Sequence, residues 1–151
     1  MLPIFDAISL QSILTEGGRT QPWIIYVKVN NSREPYVVKL FTTDEVDNTD
    51  ALAHEVFCSV LANEFDLSVP EAALIRFNNR FIQTLPSKVG DLLYTRDNRL
   101  KFGCKYKPNA ILLKKNLPNN QLNKILIDID TIYAFDNLIN NKEEAFTKPT
   151  Y

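Results

Sequence analysis

Between Trp23 and Phe41 the chain reads WIIYVKVNNSREPYVVKLF. Trp23 to Val29 is a β-branched and aromatic run, Tyr36 to Phe41 is a second, and the turn-forming NNSREP lies between them. Such residues suit a pleated, half-buried surface, so the pattern predicts an antiparallel hairpin. Downstream the period changes. From Asp50 to Phe65, apolar Ala53, Phe57, Val60 and Leu61 recur at helical spacing behind several Asp residues that favour a helix N-terminus. A helix is predicted there. After Pro70, Ala72 to Phe77 and Arg80 to Thr84 flank Asn78-Asn79, whose side chains tolerate the positive φ of a tight turn, and this predicts a second hairpin.

Further out the pattern weakens. Ile8 to Leu14 suits a strand or a short helix, Leu100 to Tyr106 a strand, and Gln121 to Ile127 a short helix after Pro118. Asp130 to Asn140 is apolar at Ile132, Phe135, Leu138 and Ile139, as an amphipathic helix requires. The expected class is α+β: an antiparallel sheet carrying one helix over residues 1–85, then a linker and a more helical segment over 86–151.

The 151 residues are 45% hydrophobic and 23% charged, with 17 Lys+Arg against 18 Asp+Glu, which places the chain among ordinary globular domains. Cys58, Cys104 and His54 cannot complete a four-ligand Cys/His zinc site. No apolar run approaches the roughly 18–20 residues that span a bilayer, and the N-terminus lacks a basic region before its apolar stretch. A cytoplasmic location with free thiols is the expectation.

The charge is unevenly spread. Phe41 to Asp66 carries Asp44, Glu45, Asp47, Asp50, Glu55, Glu64 and Asp66 with no Lys or Arg, whereas Arg96 to Lys115 is basic apart from Asp97. Such blocks are solvated faces or electrostatic footprints. The basic one, interleaved with Phe102 and Tyr106, leaves open a contact with phosphate or RNA, although near-zero net charge makes nucleic acid an unlikely main partner.

Lys39 stands out because VVKLF puts apolar neighbours on both strand faces. Its ammonium must reach water, find a carboxylate or meet an anion, since an unpaired buried charge is costly. Glu55, on the one long predicted helix, is a candidate counter-ion; a strand Lys held by a helix Glu is how protein kinases present the lysine to nucleotide phosphates. Gly17 and Gly18, in TEGGRTQP, fit either an ordinary turn or an anion-binding nest of backbone N–H groups. His54 and Cys58 share a helix face without the third group a cysteine hydrolase needs. Asp128, Asp130 and Asp136 match no cation-binding loop.

The blocks EPYVVKLF (34–41), HEVFCSVLANEFDLSVPEAALIRF (54–77), KFGCKY (101–106) and IYAFDNLINN (132–141), with KP at 148–149, resemble the compact bacterial HipA-like serine/threonine kinases from about Glu16 onward. The resemblance implies a protein-kinase-like fold in which Lys39 contacts the phosphates of ATP, Glu55 holds Lys39, and the segment with Gly17 and Gly18 covers the phosphates. It also implies magnesium as cofactor, with a nucleotide and a protein substrate or partner. In the family FDNLI is followed by N-x-D-R, whose Asp is the catalytic base, and then by K-P-N, whose Asn helps hold magnesium. Here Glu143 takes the Asp position, Glu144 the Arg position and Thr150 the Asn position. One extra methylene moves the carboxylate by about an ångström, enough to cost on the order of a hundredfold where positioning carries the rate. Thr150 supplies no amide oxygen. With Tyr151 reached before the remaining strands and metal-binding Asp of a kinase C-lobe, the expectation is an inactive or incomplete kinase; a nucleotide- or protein-binding pseudokinase and an RNA-associated α+β domain are the alternatives.

Overall fold

A computed structural model describes residues 1–15, 21–108 and 129–139. Its centre is a five-stranded sheet: β1 (Ile4–Ile13), β2 (Trp23–Val29), β3 (Ser32–Val38), β4 (Ala72–Arg76) and β5 (Lys101–Lys105). The order β1-β2-β3-β5-β4 closes into a small barrel. Closure comes from a parallel pairing of Ile4, Phe5 and Asp6 with Leu74, Ile75 and Arg76, where an antiparallel sheet was expected. Register shifts between Ala7 and Ser9 and between Leu10 and Ser12 curve β1, so that it reaches β2 along one stretch and β4 along another.

The first hairpin forms as its residues predict, with a tighter turn. β2 and β3 pair from Trp23↔Val38 to Val29↔Ser32, leaving only Asn30 and Asn31 in the connection. Asn30 adopts φ 52°, the left-handed region that Asn tolerates better than most residues. Ser32 to Pro35 therefore belong to β3, which ends at Val38. Along β2, Trp23, Ile25 and Val27 alternate into the barrel, where they meet Tyr36, Val38, Leu40, Ala73, Ile75 and Phe81.

Two helices follow β3. α1 (Thr43–Asn48) opens on a capping box: the Thr42 hydroxyl accepts from the Glu45 N–H, and the Glu45 carboxylate accepts from the Thr42 N–H. Asp50, at φ 51°, turns the chain into α2 (Ala51–Glu64). α2 ends with Asp66 at φ 54°, while the Asp66 N–H bonds to the Asn63 carbonyl and the Leu67 N–H to the Ala62 carbonyl. This is a Schellman closure with Asp in the place glycine usually takes.

The second hairpin does not form. Asn78 is extended, its side-chain oxygen accepts from the Phe81 N–H at 2.9 Å, and α3 (Asn79–Ile82) begins in place of a strand. A helix turn here carries Phe81 into the core, against Phe77 at 4.7 Å between ring centroids. α4 (Ser87–Leu93) then leads to β5, which lies between β3 and β4. The sheet thus closes only beyond residue 85. Gly103 of β5 is closely packed: an added Cβ would lie 2.9 Å from Ile75 Cγ1 and 3.2 Å from Val38 Cγ2.

α5 (Ile129–Leu138) covers the stretch predicted as an amphipathic helix. It rests on α2 through an edge-to-face contact of Phe135 with Phe65, at 5.8 Å. The helix expected over Gln121 to Ile127 lies outside the described residues. Among the described residues no helix is long and apolar enough to cross a membrane.

Candidate functional site

Lys39 immediately follows β3, and its N–H still donates to the Phe102 carbonyl of β5 at 3.0 Å. Val38 and Leu40 on either side point into the barrel core, so alternation sends the Lys39 side chain to the outer face, beneath α2. There its ammonium donates a hydrogen bond to Glu55 Oε1 in the second turn of α2. α2 packs on β5, and this holds the carboxylate over the sheet.

The side chains of Lys39 and Glu55 remain 38% and 25% exposed. An ammonium has three donors, and one is committed to Glu55. The sequence alone left the Lys39 head in solvent, on a carboxylate or on a ligand, and the structure selects the carboxylate.

Two thiols flank the pair. Cys58 lies one turn beyond Glu55, and Cys104 is paired across the sheet with Val37 and with Ala72. Burial pushes both thiols up from their ordinary value, with the Glu55 carboxylate adding to the effect and Lys39 opposing it. A nucleophilic cysteine needs the opposite shift. Both imidazole nitrogens of His54 lie within 3.7 Å of Cys58 Sγ, but His54 turns toward α5, 3.4 Å from the Ile139 carbonyl.

Within the described part of the basic segment, Arg99 and Lys105 are paired with carboxylates. Arg99 grips Asp97 through Nε and a terminal nitrogen and reaches Asp47 at 2.7 Å. The Lys101 ammonium is buried against the carbonyls of Asp97 and Arg99, and Lys105 pairs with Glu34 at 2.6 Å. Phe102 is buried in the sheet and offers no stacking face, whereas Tyr106 is only half-buried. This network went unread in the sequence, because Asp47 and Arg99 lie far apart along the chain.

Gly17 and Gly18, Glu143 and Thr150 lie outside the described residues. The strands that flank the glycine segment are described. Leu14 and Pro22 are hydrogen-bonded at its base, and Trp23 pairs with Val38, the neighbour of Lys39. The segment therefore leaves and rejoins the barrel at the end where Lys39 stands. Among the described residues, no three His, Cys, Asp or Glu side chains form a group that could hold a metal.

A family model described as HipA-like kinase matches residues 11–150. No curated protein and no solved structure shows a match.

Proposed function

The chain belongs to the HipA-like kinase family, and from that membership we propose that its five-stranded barrel with α2 is the nucleotide-binding half of a protein-kinase-like fold. Lys39, held by Glu55, donates to the phosphates of ATP. The segment carrying Gly17 and Gly18 supplies backbone N–H groups over the same phosphates. The observation that carries this reading is the Lys39–Glu55 contact between the residue after β3 and the helix packed on the sheet. Lys on the sheet and Glu on the helix is the arrangement by which protein kinases position ATP.

Magnesium, when bound with the triphosphate, would neutralise its charge; Thr150 is the family position for a ligand to it. Glu143 stands where the family's proton-accepting Asp does, and Glu143 and Thr150 both depart from the family residues. A side chain longer by one methylene and a hydroxyl in place of an amide both misplace oxygen atoms whose position carries the rate. The proposed activity is therefore nucleotide binding with little or no phosphoryl transfer to a Ser or Thr hydroxyl.

The test is thermal unfolding with and without ATP and magnesium, alongside radiolabel transfer from ATP. A ligand-dependent rise in Tm that disappears in Lys39→Ala supports the reading. A rise that survives Lys39→Ala places the nucleotide elsewhere and overturns it. Lys39-dependent transfer at an ordinary kinase rate would sink only the half that denies transfer.

A further inference from the structure

Beyond the Lys39–Glu55 pair, an open cleft of about 530 Å³ lies between α1, the end of α4 and the turn into β5. Asp47, Tyr94, Arg96, Asp97 and Arg99 are among the residues that line it. The Asp97 N–H donates to the Phe41 carbonyl at 2.9 Å, which fixes the turn against the chain just after Lys39.

The charges in this cleft are unequally satisfied. Asp97 is held by Nε and a terminal nitrogen of Arg99 and also accepts from the Arg99 N–H. Asp47 accepts from the same guanidinium. Both carboxylates are thus engaged by a single arginine. Beneath them, the Lys101 ammonium spends its hydrogen bonds on two carbonyls and adds positive charge without taking up either carboxylate.

Arg96 is left over. It lines the cleft, and among the described residues its guanidinium makes no hydrogen bond or ion pair. An arginine fork without a counter-ion fits a planar or tetrahedral oxyanion. Tyr94, 89% exposed at the rim, offers a flat ring and a hydroxyl beside it.

We propose that this cleft binds an oxyanion, a phosphate or carboxylate group free in solution or carried on a peptide, with Arg96 as the recognising cation. The site is separate from Lys39 and does not depend on the nucleotide reading.

The experiment is a titration of the full chain with inorganic phosphate at constant ionic strength, followed by amide chemical shifts. Saturable shifts centred on residues 94–99 are expected. Arg96→Gln should weaken them about tenfold or more, the loss of one charge-assisted interaction, while Arg96→Lys keeps part of the response. Lys39→Ala should leave them unchanged. A short phosphoserine peptide forms the second arm: tighter binding than phosphate identifies a peptide-borne ligand, and equal binding identifies the free anion. Absence of shifts at 94–99, or shifts indifferent to Arg96→Gln in a variant with unaltered melting, overturns the proposal.

Discussion

The ammonium of Lys39 and the carboxylate of Glu55 meet across the gap between the barrel wall and α2, which also contacts β5. Both side chains keep access to water, so the contact adds little to stability. Exposed ion pairs are worth about 0–1 kcal/mol. Glu55→Gln is accordingly expected to leave the unliganded Tm almost unchanged while reducing the ATP-dependent rise, because Lys39 loses the partner that aims it. Paired melts of the two proteins decide this, and equal ATP responses would separate Glu55 from the site.

Gly103 is expected to tolerate no branched side chain. Gly103→Val pushes new methyl groups toward Ile75 and Val38, which already crowd the position. Overpacking of this sort costs about 1–3 kcal/mol. A lower urea midpoint with unchanged slope is the expected result, and an unshifted midpoint would mean that β5 relaxes away from the core.

Phe81 tests the α3 correction. It is 1% exposed and packs on Phe77, so Phe81→Ala should cost about 3–5 kcal/mol. Removing the cap with Asn78→Ala should cost about 1 kcal/mol. Chemical denaturation of both variants checks the ranking, which a surface hairpin at 78–84 would not produce.

Acid should act through Asp97. Hydrogen bonds from Arg99 outweigh burial and hold its carboxyl down at about 2, against an ordinary 3.8. The folded form thus prefers the charged carboxylate. The stabilisation is complete above the unfolded value and is lost as pH falls from about 4 to about 2. In Asp97→Asn the stability lost over this window should shrink, as read by denaturation at stepped pH. A profile identical to the parent would show that other carboxylates set the acid limit.

The thiols of Cys58 and Cys104 should alkylate slowly at neutral pH. Burial raises both, which leaves less thiolate than a free cysteine would have. Iodoacetamide labelling followed by mass spectrometry measures the rates against a small-molecule thiol, and a faster rate at either residue contradicts the assignment.

The legible parts of the fold were those written in local pattern. β2 occupies the predicted Trp23 to Val29, α2 fills the predicted Asp50 to Phe65 stretch apart from its two capping residues, and β4 and β5 fall within their apolar runs. α1 was also legible in principle, through Thr42 and Glu45 three residues apart ahead of the helix, but the acidic composition around it read as a solvated block. Asn78-Asn79 misled because the same side chain that permits a positive-φ turn also caps a helix, and the burial of Phe81 decides between them. The parallel contact of β1 with β4 has no local signature at all. In the site, Lys39 with Glu55 could be anticipated because a charge between apolar strand residues demands a partner. Arg99 with Asp47 and Asp97 could not, since several carboxylates in the acidic block were equally plausible partners.

Because Ile4 to Asp6 lie beside Leu74 to Arg76, and β5 must slot between β3 and β4, the barrel cannot close as the chain leaves the ribosome until residues through Lys105 are available. Until then the hairpin of β2 and β3 presents Trp23, Ile25 and Val38 without cover. Such non-local closure is slow relative to hairpin formation and leaves that early hairpin open to sticking during synthesis.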